Sequence, residues 1–154
     1  MTFAIDVEEA GWAELAGLED LARDVAERVM SDLGKRAADF DLSMVFTDDA
    51  AIRVLNADWR GQDKATNVLS FPAEPMPLPP GEAQPLGDVI LAFGVVQREA
   101  ADQGKTLRDH AVHLMIHGIL HLFGYDHMDG AEAARMEAAE IRILKGLGIS
   151  DPYE

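Results

Sequence analysis

Two hydrophobic periods alternate along this chain, and each switch between them predicts an element. Phe3-Ala4-Ile5-Asp6-Val7 is a short strand candidate. Leu18, Leu21, Ala22, Val25, Val29 and Leu33 then recur at helical spacing, with Gly34 as the stop. Over residues 40–46 the period returns to two: Phe40, Leu42, Met44 and Phe46 alternate with Asp41, Ser43 and Val45, the pattern of a half-buried strand. Thr47 is placed to cap a helix through Ile52 and Leu55. Thr66 to Phe71 reads as a third strand stopped by Pro72, Leu86 to Phe93 as a fourth, and Val95 to Ala101 as a helix. Six of the seven prolines fall between Pro72 and Pro85. That stretch is a long loop rather than a linker, because too little chain follows to build another domain.

From Leu107 to Phe123 the chain is apolar and helical in period, with Val112, Met115, Ile116, Ile119, Leu120 and Phe123 recurring and histidine on most of the remaining face. The pattern predicts a central, largely buried helix. Asp129 with Glu132 resembles a capping box opening a last helix through Met136 and Ile143, which ends near Gly146. No internal repeat is visible. Strands and helices interleave without strict alternation, so the expectation is one α+β domain over residues 1–154. It would hold a small mixed sheet of about four strands packed by about five helices.

Composition narrows the chemistry. The chain has 154 residues, enough for one core; 48% are hydrophobic and 27% charged, which excludes wholesale disorder. There is no cysteine, so a disulfide scaffold, a thiolate zinc site and a cysteine nucleophile are all excluded. Apolar runs fall short of the roughly 20 residues of a membrane span. Met1 to Asp6 lacks the basic start and apolar stretch of a signal peptide, so a cytoplasmic location and no membrane partner are expected. Thirteen basic against 28 acidic residues give −15, which argues against tight, nonspecific nucleic-acid binding. The excess is uneven: residues 1–50 carry −9, residues 51–110 only −2 and residues 111–154 −4. The middle segment, with Arg53, Arg60, Lys64, Arg98, Lys105 and Arg108, is where a polyanion can approach.

All five histidines, His110, His113, His117, His121 and His127, lie within 18 residues. Four-residue spacing puts His117 and His121 one turn apart on a single helix face. Gly124 can end that helix in the left-handed conformation, and a reversal through Tyr125 and Asp126 returns His127 as a third ligand. Three neutral imidazoles at about 2.0–2.1 Å leave a tetrahedral ion one open position for water, the arrangement of a catalytic site. One Zn2+ per chain is the expected cofactor; nickel, copper and iron stay open on ligand type alone. His113, a turn earlier, either supports a ligand or simply packs, and His110 reads as surface or helix start. The spacing also imitates a protease pattern, yet Gly118 stands where those enzymes need a glutamate base, which moves peptide hydrolysis to second place.

Other residues can complete the site. Arg60 either clamps a phosphate or forms a salt bridge to Asp58 or Asp63, and spacing alone favours the salt bridge. Asp88 is either a buried structural acid or a group turned toward the site. Asp126 either orients a ligand imidazole or serves the turn.

The stretch His117 to His127, together with Trp59-Arg60-Gly61, Thr66 to Pro72 and Leu86-Gly87-Asp88, resembles the YbeY family of bacterial metal-dependent endoribonucleases. The resemblance runs from about residue 40 to Asp151-Pro152-Tyr153 and is weaker in the acidic first third. Ala65 stands where many members have proline, a change in loop stiffness rather than chemistry. The resemblance implies an α+β metallohydrolase cleaving single-stranded RNA in maturation of the small-subunit ribosomal RNA 3′ end and in ribosome quality control. It implies His117, His121 and His127 as zinc ligands and Arg60 as the functional arginine. The ribosomal small subunit and an assembly GTPase are its expected partners. Two rivals stay open: a metalloprotease or amidohydrolase, and a noncatalytic assembly factor in which an ion pins the helix end to its loop.

Overall fold

A computed structural model describes residues 2–153. The elements run β1 (Phe3–Val7), α1 (Leu18–Asp32), β2 (Phe40–Thr47), α2 (Asp49–Arg60), β3 (Val68–Pro72), β4 (Gln84–Ala92), α3 (Phe93–Asp102), α4 (Leu107–Leu122) and α5 (Gly130–Gly146). The expected α+β architecture is present, with a four-stranded mixed sheet and five helices. Strand order is β1-β2-β4-β3; β1, β2 and β4 are mutually parallel and β3 runs antiparallel to β4 at one edge.

The two-residue period of β2 turns Leu42, Met44 and Phe46 to one face, where they meet Val89 and Leu91 of β4 and the apolar sides of α1, α4 and α5. Trp12 closes this core, its Nε1 donating to the Thr47 carbonyl at 3.0 Å and its ring edge-on to Phe46 and Phe93. A smaller core of Ile52, Leu69, Ile90 and Ala92 lies against α2 on the other face. No helix among the described residues is long and apolar enough to cross a membrane.

One cap differs from expectation. Asp48, not Thr47, begins α2: its Oδ1 accepts from Ala51 N at 2.7 Å. Thr47 is still paired with Ala92 in the sheet, so its backbone cannot yet turn into a helix. The Asp129 cap forms as the sequence predicts, Oδ1 accepting from Glu132 N at 2.8 Å.

Helix α4 is buried on nearly every side and seats directly on β3 and β4. Gly118 makes that approach possible. A Cβ there would lie 2.6 Å from Val89 Cγ1 and 3.1 Å from Ser70 Oγ, and the Gly118 carbonyl accepts from that hydroxyl at 2.9 Å. The glycine is thus a packing requirement, and the position has no room for a glutamate side chain. Gly118→Ala should therefore destabilise the fold by about 1–3 kcal/mol despite the better helix propensity of alanine. Urea unfolding measures this; a more stable variant would mean that the helix-to-sheet contact is looser than described.

Candidate metal centre

The site begins with the end of α4. His117 and His121 project from adjacent turns, and the helix stops where its spacing predicts: Gly124 has φ of 91° and its N–H reaches the His121 carbonyl at 3.0 Å. Tyr125 N donates to the Leu120 carbonyl at 3.0 Å, and Asp126 Oδ1 accepts from His127 N at 2.7 Å. The chain therefore folds back and brings His127 against the helix. Ring centroids lie 4.7 Å apart for His117 and His121, 5.6 Å for His117 and His127, and 5.2 Å for His121 and His127. One nitrogen from each lies within 4.8 Å of the other two, so the three together could hold a metal ion.

Hydrogen bonding decides which nitrogens face that point. Glu140 of α5 is fully buried, and its Oε1 lies 2.6 Å from His117 Nδ1 while Oε2 lies 3.1 Å from His113 Nε2. An ionised carboxylate only accepts, so His117 donates through Nδ1 and keeps its Nε2 lone pair free. His121 turns its own Nε2 toward the same point. The two Nε2 atoms are 3.1 Å apart. Two lone pairs at that distance repel unless a proton or a cation lies between them. Nitrogens about 2.0–2.1 Å from a tetrahedral ion would stand about 3.4 Å apart, so this pair fits such an ion, with a His127 nitrogen within 4.8 Å as the third donor.

Electrostatics support a neutral His121 and an anionic brace. Burial, reinforced by His117 and His127, lowers the pKa of His121, keeping its imidazole neutral. Burial alone would raise the Glu140 carboxyl, but hydrogen bonds from His113, His117 and Tyr153 outweigh it and bring it down to about 2. The Tyr153 hydroxyl donates to Glu140, and burial together with that bond raises its own pKa.

Arg60, at the end of α2, lines the same cavity. That cavity, about 580 Å³, is lined by Arg60, the three histidines, the strand leading from Thr66 to Ser70, and the loop to Met128. The salt bridge favoured by spacing does not form. Asp63 pairs with Arg53 at 2.9 Å, and Arg60 has no ion pair among the described residues.

The remaining candidates separate clearly. His113 supports Glu140 rather than packing idly. His110 is buried, not superficial, because α4 is enclosed even in its first turn; its Nε2 meets Glu99 Oε1 at 2.9 Å. Asp88 is exposed on β4 beside Asp41 and Thr2, neither a buried acid nor turned toward the histidines. Asp126 serves the turn. Sequence reading missed Glu140, although a signal existed: it stands on the buried stripe formed by Met136, Ala139, Ile143 and Leu144, where a carboxylate needs a partner. Tyr153 carried no such signal.

The family described as Endoribonuclease YbeY matches residues 6–148, so the match takes in all but the first five residues of the acidic first third. The protein named Endoribonuclease YbeY of Allorhizobium ampelinum is 48% identical over 156 residues, covering 97% of this chain and 92% of that one. Its namesake in Sinorhizobium fredii is 50% identical, covering 97% and 90%. In Paramagnetospirillum magneticum a protein of the same name reaches 59% over 116 residues, 73% of this chain and 71% of its own. A solution structure of a Thermotoga maritima protein shares the fold at 22% identity, with a TM-score of 0.60 and coverage of 96% and 92%.

Proposed function

We propose that this chain, which belongs to the YbeY family of endoribonucleases, is a zinc-dependent endoribonuclease that cleaves single-stranded RNA in the cavity between Arg60 and the three histidines. The observation that carries this reading is the meeting of three imidazole nitrogens with an unpaired guanidinium in one cavity, from segments 57 residues apart in sequence. The whole of residues 1–154 acts as one metallohydrolase domain. Its substrate is ribosomal RNA at the 3′ end of the small subunit, in maturation and quality control, with the subunit and an assembly GTPase as cytoplasmic partners.

His117, His121 and His127 would hold the ion, which supplies Lewis acidity and brings the pKa of a coordinated water toward about 7. Glu140 holds His117 in the tautomer that presents Nε2, and His113 and Tyr153 hold Glu140. Arg60 binds the nonbridging phosphate oxygens through its planar fork and stabilises the charge that grows as water adds to phosphorus. The reaction forms one phosphorus–oxygen bond to water, breaks one to the ribose and returns a proton to the leaving oxygen. Peptide hydrolysis lacks support here, because Gly118 abuts Val89 where a protease would place its base.

Metal analysis paired with a defined single-stranded RNA assay tests the reading. Wild type should hold about one ion per chain. Arg60→Ala should keep that ion and lose cleavage by about 10²–10³-fold. Unchanged cleavage would remove Arg60 from the reaction. RNA left intact by zinc-loaded wild type, with casein hydrolysed instead, would replace the nuclease reading with the protease one.

A further inference from the structure

We propose that the cavity on the far side of His117 is a second nucleotide subsite, seating a nucleotide that flanks the scissile phosphate, with Lys105 on its phosphate and the Tyr153 ring against its base. This rests on the endoribonuclease reading and adds the path of the substrate strand. An endonuclease cuts within a strand, so the strand must continue on both sides of the reacting phosphate. A pocket closed beyond the ligand nitrogens would admit only an end.

The space does not close. A second cavity, about 360 Å³, shares Asn67, Val68 and His117 with the first and extends past Gln103, Lys105 and Tyr153. Its volume suits one small ligand, within the roughly 300–1,000 Å³ usual for such sites. The distribution of unpaired cations follows the same line. In the middle segment Arg53, Arg98 and Arg108 are paired with Asp63, Asp49 and Asp109. Arg60 and Lys105 have no ion pair among the described residues, and each lines one of the two cavities. Lys64 is likewise unpaired but lies outside both. In a chain of net charge −15, free cations therefore flank the three imidazoles on two sides.

Tyr153 supplies the other element of a nucleotide site. Its hydroxyl is tied to Glu140 and its ring stands edge-on to His113, 5.6 Å away at 89°, yet the residue remains 47% exposed. A ring already held, with a free surface, stacks a base at little entropic cost and without sequence preference. The Glu99 carboxylate shares this wall, but it is engaged by Asn67 Nδ2 at 3.0 Å and His110 Nε2 at 2.9 Å.

The test compares zinc-loaded wild type with Lys105→Ala and Lys105→Glu on a uridine dinucleotide and a uridine hexanucleotide. Wild type should prefer the hexamer in kcat/KM by about tenfold or more, because remote contacts are spent on the transition state. Lys105→Ala should cut that preference about fivefold and Lys105→Glu further. For the hexamer, the slope of log kcat/KM against log salt should fall by about 0.7 on losing one phosphate contact. A merely structural lysine would leave that slope alone. Unchanged preference and slope in both variants, with zinc content intact, would overturn the subsite and leave the endoribonuclease reading standing. If wild type cuts neither oligonucleotide, the reading of the whole site falls and the subsite with it.

Discussion

His121→Ala, purified and dialysed beside wild type, should retain less than about a tenth of the bound ion and lose cleavage by at least about 10³-fold. Two imidazoles remain in that variant, and His127 is held only by an exposed turn. The fold should survive, because His121 is half-buried at the end of α4 while Met115, Ile116, Ile119 and Leu120 keep the helix on the sheet. Circular dichroism then separates loss of the ion from loss of structure. Chelation should lower the melting temperature of wild type and leave the variant unmoved, since only the wild type gains stability from binding. Ligand nitrogens must be unprotonated, so wild type should also shed its ion as pH falls below about 6. Full metal content in His121→Ala would remove the three-nitrogen arrangement.

The second large effect belongs to Glu140. Glu140→Ala should destabilise the protein by about 3 kcal/mol, because it strips a partner from His113, His117 and the Tyr153 hydroxyl inside the core. Zinc affinity should fall as well, by about 10–100-fold, since nothing then fixes the His117 ring. Glu140→Gln keeps the shape and should recover more stability than affinity. The acid limb carries a separate signature. The carboxyl titrates near 2 when folded against 4.5 as its ordinary value, so its contribution is complete above pH 4.5 and is lost as pH falls from there through about 2. Chemical unfolding between pH 5 and 3 should show wild type losing stability more steeply than Glu140→Gln. Equal slopes would mean that Glu140 is not held as an ionised brace.

How far the sequence reached depended on distance along the chain. The candidate metal-binding set was legible because its geometry is local: a four-residue spacing, a glycine able to adopt positive φ, and a short return all lie between His117 and His127. The α4 period was legible too, but its enclosure was not fully so: of the two readings of His110, helix start holds and surface does not. When a helix is covered nearly all round, apolar period no longer marks which face is solvated. Thr47 failed as a cap for a related reason: propensity favoured it, while sheet pairing with Ala92 kept it extended.

The sequence by itself determined one α+β domain, its elements to within a few residues, and three imidazoles brought to a point by local backbone rules. Only the tertiary structure decided the strand order β1-β2-β4-β3, the freeing of Arg60 through the Arg53–Asp63 pair, and the burial of Glu140 beneath His117. Those three depend on contacts between segments ten to forty-five residues apart, where hydrophobic pattern says that a surface must be covered but not by which partner.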